Sequence, residues 1–245
     1  MALHSLKSAL ARQTAPARIF FRDDDVDEDE APLRRLLRFF LERNTPVNLG
    51  VIPGRLTAAC AELLARSLGG APALLELNQH GWRHDNHERE GRKCEFGASR
   101  TYAEQLADIT QGRARMNEAF GPTWFPVFIP PWNRCTEETR RAIDHLGFRA
   151  LSAKQGRSVA TGYRFEEISI TLDLYRWNGG ARLKAPEEII DELIVQLSRR
   201  QTIGVVLHHK VMDEQAFSFL GSLLDTLAAH PFAGAVSFHT FQSLL

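Results

Sequence analysis

The chain has few cysteines, and none of them lie close together in the sequence. Cys60, Cys94 and Cys135 are the three cysteines among 245 residues, and no two of them form a Cys-x-x-Cys pair. An odd and widely spaced set argues against a disulfide framework and against a zinc site built from thiolates. A reducing, intracellular setting fits this composition best.

The chain also lacks an excess of charge and a long apolar segment. Its 30 basic residues balance its 30 acidic residues. A neutral chain offers no overall field to nucleic acid or to an anionic membrane, so we expect neither as a partner. No segment approaches the ~20 apolar residues of a membrane span. Residues 1–12 lack the apolar core of a secretory signal, and we therefore expect a cytoplasmic protein.

Segments with the patterns of strands and helices alternate along the chain. With 245 residues and 44% hydrophobic composition, the chain can form one large core. We expect an N-terminal lead over residues 1–17 and one domain over residues 18–245. The alternation indicates an α/β protein with a mostly parallel sheet, either wound flat or closed as a barrel. The predicted strands cover residues 18–22, 47–52, 73–77, 124–129, 150–153, 167–174, 202–207 and 235–238.

Polar clusters follow four of the predicted strands. They are Asp23–Asp25, His80–His87, Pro130–Asn133 and His208–His209. In a parallel sheet the functional face lies at the carboxyl ends of the strands. We therefore expect these clusters, which are far apart in sequence, to converge on one rim.

Two histidines of the second cluster are the best candidates for a metal site. His80 and His84 have i, i+4 spacing, which places both rings on one side of a helical turn or of a loop that folds back at Gly81. Imidazole is a common metal ligand, and a catalytic metal usually has a third ligand, often a carboxylate. A lone histidine is more often a hydrogen-bonded core or surface residue. The pair favours metal binding, with His87 in a supporting role.

The aspartates of the first cluster are the candidate source of the carboxylate. Asp23 and Asp24 end a strand with the pattern of a buried one, where an unpaired charge is costly. One carboxylate could bind the metal while its neighbour, which points the other way, accepts a proton from water. The acids at Asp27–Glu30 are instead interpreted as a solvated loop before a helix N-terminus, which acidic residues favour.

The last two clusters have candidate roles and plain structural alternatives. His208 and His209 close an apolar strand, so one imidazole should project into the rim, where it would suit a general acid. The alternatives are a second metal ligand or a structural histidine. Pro131 and Trp132 would form a rigid wall on which a sugar ring could stack, although an ordinary core tryptophan has the same pattern.

Taken in chain order, these clusters resemble the motifs of the polysaccharide deacetylase family, carbohydrate esterase family four. The segment Phe-Arg-Asp-Asp-Asp at 21–25 resembles the first motif, Thr-Phe-Asp-Asp-Gly, which implies that Asp23 is the catalytic base and Asp24 a metal ligand. The segment at 80–84 resembles the second motif, His-(Ser/Thr)-x-x-His, which implies that His80 and His84 complete the ligand set. The family fold is a distorted (β/α) barrel, which we expect here with about seven parallel strands.

The third motif shows a departure. The segment Phe-Ile-Pro-Pro-Trp at 128–132 is similar to Phe-Arg-x-Pro-(Tyr/Trp), but Ile129 replaces the arginine that orients the base. Arg22 or Arg134 could substitute for it.

The later motifs are matched less completely. Val-Leu-His at 206–208 resembles the fifth motif, Leu-x-His, which implies that His208 is the acid, while the alternative alignment gives His209. The fourth motif is an aspartate-tryptophan pattern, and Asp173 and Trp177 fall in its region.

The resemblance implies a metal-dependent hydrolase that removes an acetyl or other N-acyl group from an N-acetylated sugar or a related amide. Pro131 and Trp132 would contact the substrate. The ligand set suits Zn²⁺ and also admits Co²⁺, Ni²⁺ or Mn²⁺. One alternative is a small-amide hydrolase of the same fold. The other is a non-catalytic carbohydrate-binding module that kept the pocket, since the third-motif arginine is missing.

Overall fold

The computed structural model describes residues 2–154, 162–199, 202–229 and 234–245. Within these ranges the strands are β1 (Ala17–Val26), β2 (Val47–Val51), β3 (Leu75–His80), β4 (Val127–Ile129), β5 (Ala150–Lys154), β6 (Glu166–Ile170), β7 (Leu172–Asp173), β8 (Tyr175–Arg176), β9 (Arg182–Leu183), β10 (Thr202–Leu207) and β11 (Val236–Phe238).

Helices alternate with strands along much of the chain, as the sequence pattern predicts, but within the described residues no helix separates the strands from β5 to β9. The helices are α1 (Ala2–Leu10), α2 (Ala31–Glu42), α3 (Ala58–Gly70), α4 (Tyr102–Phe120), α5 (Glu137–His145), α6 (Pro186–Arg199), α7 (Glu214–Ala228) and α8 (Phe241–Leu244). None of these helices is both long and apolar enough to cross a membrane. Local chemistry sets several of the helix starts. Thr101 and Glu104 form a reciprocal capping box at α4, and Asp213 accepts a backbone hydrogen bond at the start of α7.

The sheet closes on itself because one region of the chain borders both of its ends. The strands neighbour one another in the order β6-β5-β4-β3-β2-β1-β10-β7, and the pairings along this path are parallel. Only Thr171 separates β6 from β7, so these segments form one region that pairs with β5 on one side and with β10 on the other. The expected distorted (β/α) barrel with about seven parallel strands is confirmed.

The two ends of the chain pack on this barrel. Helix α1, which falls in the predicted lead, buries Leu6 and Leu10 and contacts α6 and α7. Strand β11 pairs with the first half of β1, where β2 does not reach. The backbone N–H of Phe241 in α8 then donates to Asn48 Oδ1, and its ring packs on Phe20 with 4.9 Å between centroids. Helix α8 thus covers the amino-terminal end of the barrel.

Side chains of each strand alternate between the barrel interior and the face that carries the helices. In β1, Phe20 belongs to an interior apolar cluster, whereas Phe21 belongs to the core between sheet and helices. The same alternation directs Arg22 and Asp24 inward and Asp23 outward. The interior apolar cluster consists of Phe20, Val127, Ile129, Ala150, Ile168, Ile170, Val206 and Phe241.

A glycine in β10 provides the space that Phe20 fills. A Cβ at Gly204 would lie 2.3 Å from Phe20 Cζ and 2.7 Å from the carbonyl oxygen of Ser169. We expect G204A to lower the free energy of unfolding by about 1–3 kcal/mol, as overpacked cores do. Denaturant unfolding followed by circular dichroism measures this change.

The matched control is G69A in α3, where an added Cβ meets nothing within 4 Å. It should leave the free energy of unfolding unchanged or raise it by up to about 1 kcal/mol, because alanine suits a helix better than glycine. Equal stability of G204A and the wild type would contradict the close packing inside the barrel.

Candidate metal centre and active site

A β-bulge at the end of β1 turns Asp25 toward the rim of the barrel. The pairing of β1 with β2 shifts register between Asp23 and Val26, and Asp25 has a φ of 70°. In a regular strand Asp25 would point outward like Asp23, but a bulge changes the direction of a side chain. An Asp25 oxygen consequently lies 3.3 Å from His80 Nε2 and 3.2 Å from His84 Nε2.

Asp25, His80 and His84 form a compact group of potential metal ligands, called the ligand group below. Each residue offers one ligand atom, and these atoms lie within 4.8 Å of one another. Two imidazole nitrogens and one carboxylate oxygen are a known donor set of catalytic zinc sites, in which a further position stays open. The residues present therefore fit a divalent metal ion.

A backbone hydrogen bond orients His80. The residue ends β3 and is buried, and its Nδ1 lies 3.1 Å from the carbonyl oxygen of Ile129. Because a carbonyl oxygen only accepts hydrogen bonds, the neutral ring carries its proton on Nδ1. This leaves Nε2, the nitrogen that faces Asp25, with a free lone pair for a metal.

A buried glutamate holds the loop that carries His84. The Glu95 carboxylate accepts hydrogen bonds from the backbone N–H groups of Trp82 and Arg83 at 3.3 and 2.7 Å. Gly81 has a φ of 58°, and a Cβ there would lie 2.2 Å from Glu95 Oε2, so glycine is needed at this turn. Burial raises the pKa of Glu95, and the two amide hydrogen bonds oppose that rise. Glu95 thus fixes the backbone that presents His84.

Burial and mutual charges shift the pKa values within the ligand group. Burial alone raises the pKa of Asp25, but the hydrogen bond to His80 and the nearby histidine charges outweigh it and hold this pKa well below its usual range. Burial and the charge of His80 lower the pKa of His84 to about 4. An ionised carboxylate and a neutral imidazole are the forms that bind a metal. For His80, burial lowers the pKa, and the charges of Asp24 and Asp25 raise it by more.

Asp24, expected as a metal ligand, is instead held by Arg22. The Arg22 side chain is fully buried, and its Nε and Nη2 each donate to one oxygen of Asp24 at 2.7 Å. The remaining donors reach the carbonyl oxygen and Oγ of Ser152 at 3.0 and 2.9 Å, and Asn133 Oδ1 at 2.6 Å. These bonds use all five N–H groups of the guanidinium, which satisfies a charge that would otherwise be costly to bury.

Arg22, one of the two suggested substitutes for the third-motif arginine, thus orients an aspartate at the rim. The side chain of Ile129 is apolar and lies in the barrel interior. Arg134, the other candidate, lies elsewhere and donates to the carbonyl oxygen of Lys93 at 2.8 Å.

Gly50 in β2 leaves room beside the Asp24 carboxylate. A Cβ at this position would lie 3.2 Å from Asp24 Oδ1 and 3.4 Å from His80 Cβ. A carboxylate has about four lone-pair sites, and Arg22 uses two of them. Asp24 therefore retains acceptor capacity for another partner.

Asp23, expected as the base, points away from the ligand group and pairs with His209. Asp23 Oδ2 lies 2.6 Å from His209 Nδ1, and Oδ1 accepts the backbone N–H of His209 at 2.8 Å. Both side chains are fully buried. The strand register explains this placement, because Asp23 pairs with outward-facing Leu207, and His209 follows two residues later.

His208 has the opposite orientation to His209 and faces the rim. Its charge contributes to lowering the pKa of Asp25, so the two side chains are within electrostatic reach. The His208 ring packs edge-on against Trp177 with 4.6 Å between centroids, and Trp177 Nε1 donates to Asp173 Oδ2 at 2.9 Å. The aspartate and tryptophan in the fourth-motif region thus lie next to the candidate acid.

Trp132 borders the ligand group on another side. It lies in a 3₁₀ turn, Pro131–Asn133, with a φ of 54°, and its ring centroid is 4.3 Å from that of His84. Pro131 is buried, whereas Trp132 is partly exposed. Contact of these two residues with a substrate stays a prediction. His87 lies outside the ligand group, and its backbone N–H donates to the carbonyl oxygen of Cys94.

Asp25, Glu95 and Asn133 were not among the site residues expected from the sequence. The strict alternation of β1 gave a signal against Asp23, because Phe20, Arg22 and Asp24 share one face of the strand. The bulge at Asp25 and the contacts of Glu95 and Asn133 depend on tertiary structure and have no comparable signal in the sequence.

Several solved structures resemble this chain at low sequence identity. A proposed polysaccharide deacetylase from Mycobacterium smegmatis gives a TM-score of 0.71 and 16% identity, covering 95% of this chain and 90% of that one. A family 4 acetyl xylan esterase from Clostridium thermocellum, in complex with a cobalt ion, gives 0.61 and 16%, covering 93% and 89%. A peptidoglycan N-acetylglucosamine deacetylase gives 0.61 and 13%, covering 94% and 88%.

No protein-family model and no curated protein sequence match the chain. The similar solved structures confirm the resemblance to family 4 carbohydrate esterases and polysaccharide deacetylases at the level of the fold.

The buried pair of Arg22 and Asp24 gives a prediction for stability. We expect R22M to lower the free energy of unfolding by about 3–5 kcal/mol, because it leaves the Asp24 charge buried without a partner. The double variant R22M/D24N should recover much of this loss, since it removes both charges. Denaturant unfolding in metal-free buffer measures the wild type, R22M, D24N and the double variant.

The control for this prediction is R66M, which removes a solvent-exposed ion pair with Glu62. It should change the free energy of unfolding by less than about 1 kcal/mol. Additive losses from R22M and D24N in the double variant would show that the two side chains do not depend on each other.

Proposed function

We propose that this protein is a metal-dependent hydrolase that removes the acetyl group from an N-acetylated sugar or a related N-acyl amide. The observation that carries the proposal is the arrangement at the rim, where the ligand group lies beside an inward-facing carboxylate that Arg22 holds in place. His208, the candidate proton donor, lies within electrostatic reach of Asp25. The similar structures include enzymes named as acting on acetylated xylan and on peptidoglycan N-acetylglucosamine, which supports this class of substrate.

The metal ligands in this proposal are Asp25, His80 and His84, one residue later in the first motif than the resemblance implied. A divalent ion bound there would polarise the acyl carbonyl and lower the pKa of water. The donor set suits Zn²⁺ and also admits Co²⁺, Ni²⁺ or Mn²⁺.

Asp24 is the general base in this proposal, in place of Asp23. It faces the barrel interior next to the ligand group, whereas Asp23 is buried on the outer face and both of its oxygens are engaged by His209. The paired hydrogen bonds from Arg22 fix the direction of the Asp24 carboxylate. A carboxylate oriented in this way can accept the proton of the attacking water.

His208 is the general acid that protonates the departing amine. Histidine is the side chain that most often transfers protons in enzymes. His208 is partly exposed at the rim, and the Trp177 ring lies against one edge of it. His209 is excluded from this role because it is fully buried between acidic side chains.

The substrate would lie between two tryptophans that border the ligand group. Trp132 packs on His84, and Trp177 packs on His208. Aromatic faces of this kind can stack on the apolar face of a sugar ring. Pro131 would stiffen the turn that presents Trp132.

The assignment of metal ligands predicts a contrast between neighbouring aspartates. D25N and H84A should each weaken zinc binding by more than about 100-fold, which exceeds the 10–100-fold effect of losing an outer partner. D24N should retain zinc, because Asp24 does not lie in the ligand group. Isothermal titration of the metal-free proteins with zinc, with elemental analysis after dialysis, measures the affinities.

H87A is the matched control, since His87 lies in the same segment but outside the ligand group. It should bind zinc like the wild type. Retention of zinc by D25N together with its loss in D24N would restore the original alignment of the first motif.

The proposed chemistry predicts release of acetate by the metal-loaded protein. We expect the wild type to release acetate from N-acetylglucosamine oligomers, and D24N to lower kcat by about 10²–10⁴-fold, the usual contribution of a general base. Acetate is measured by an enzyme-coupled assay over a panel that also contains small N-acetyl amines.

Activity on the small amines alone would favour a small-amide hydrolase of the same fold. Binding of the oligomers without any acetate release would favour a carbohydrate-binding module. An unchanged kcat in zinc-loaded D24N would remove Asp24 from the role of base.

A further inference from the structure

We propose that His209 is a positioning residue. Its contacts with Asp23 and Glu30, called the clamp below, fix the direction of the neighbouring His208 side chain. The proposal rests on the proposed function, in which His208 is the proton donor. It assigns a role to the one aspartate of the first motif that the metal and the base leave unused.

The clamp engages His209 at three points. Its Nδ1 lies 2.6 Å from Asp23 Oδ2, and its Nε2 lies 3.1 Å from Glu30 Oε1. Its backbone N–H also donates to Asp23 Oδ1 at 2.8 Å. Asp23 therefore fixes both the side chain and the main chain of His209.

The charges in the clamp are complementary, because a protonated His209 ring would lie between two carboxylates. The His209 side chain is fully buried, and the carboxylates of Asp23 and Glu30 lie at its two nitrogens. Burial lowers the pKa of His209, but the charge and hydrogen bond of Asp23 and the charge of Glu30 raise it by more. A protonated ring donates from both nitrogens, and hydrogen bonds between charged groups are among the strongest in proteins.

His208 has few direct restraints of its own. Its Nδ1 is buried and has no hydrogen-bond partner among the residues that the structure describes. The contact of its ring with Trp177 does not fix the direction of the Cα–Cβ bond, because Trp177 is itself about half exposed. The direction of His208 is consequently set by its backbone, and the clamp holds that backbone at the next residue.

The position of the clamp in the fold explains why it can act on the rim. Strand β10 ends at Leu207, and a 3₁₀ turn begins at His209. Consecutive residues at this point face opposite sides of the sheet, so His209 anchors the outer side while His208 faces inward. A shift of the turn would displace the proton donor, and displacements of about 1 Å can cost catalysis about 10²-fold.

The test compares two substrates that differ in their need for an acid. An amine must be protonated as it leaves, whereas 4-nitrophenolate leaves 4-nitrophenyl acetate without a proton. We expect H209A to lower kcat for N-acetylglucosamine oligomers by at least about 10-fold, within the 10²–10⁴-fold that a general acid supplies. Its KM for the oligomers, and its kcat for 4-nitrophenyl acetate, should stay within about twofold of the wild type.

Conservative and partial variants keep the test informative if H209A folds poorly. The amide nitrogen of asparagine is attached to Cγ, as Nδ1 of histidine is, so H209N can still donate to Asp23 and should regain part of the oligomer activity. E30Q removes only the negative charge at the outer contact and should show a smaller loss in the same direction. K210Q is the matched control. Lys210 lies on the same turn as His209, but it pairs with Asp27 and is not part of the clamp.

Hydrogen exchange in the metal-free protein provides a readout that does not depend on activity. The backbone N–H of residue 209 should exchange faster in H209A and E30Q than in the wild type. The exchange rate in H209N should lie between the rates in H209A and the wild type, and K210Q should match the wild type.

Equal losses on both substrates, or unchanged oligomer activity in H209A, would overturn the role of His209. Absence of acetate release by the zinc-loaded wild type would instead overturn the proposed function, and the two failures are therefore distinguishable.

Discussion

Successive side chains of a β-strand point to opposite faces, and three adjacent aspartates at the end of β1 are subject to this constraint. Asp23 faces the helices and pairs with His209, whereas Asp24 faces the barrel interior and pairs with Arg22. Asp25 would return to the outer face, but the bulge and its positive φ direct it to the rim. Three identical side chains thereby acquire three different partners.

Each buried charge in the site has a specific partner, which is the condition under which such charges are tolerated. Asp24 is matched by a guanidinium whose five N–H groups are all bonded, and Asp23 by an imidazole that also contacts Glu30. Among the described residues, Asp25 is matched by two histidines, whose protons a metal ion could replace. The paired residues therefore surround the one candidate metal-binding group found in the described part of the chain.

Local patterns in the sequence predict the barrel and bring together part of the candidate site. Strand-helix alternation, the spacing of His80 and His84, and the inward side of β10 all follow from local periodicity, which a single sequence contains. Asp25 was missed because a bulge depends on how β1 pairs with β2, and no local pattern marks it. Glu95 was missed because it acts through backbone amides across a long loop without periodicity.

The same separation of faces accounts for the departure in the third motif. Ile129 and Arg22 both direct their side chains into the barrel interior, and Arg22 already supplies the positive charge that Asp24 requires. A second arginine at position 129 would place two like charges in one low-dielectric interior, where their repulsion is strong. An apolar residue in β4, such as isoleucine, is therefore compatible with the arginine in β1. The backbone carbonyl of Ile129 orients His80, and that contact does not depend on the side chain at position 129.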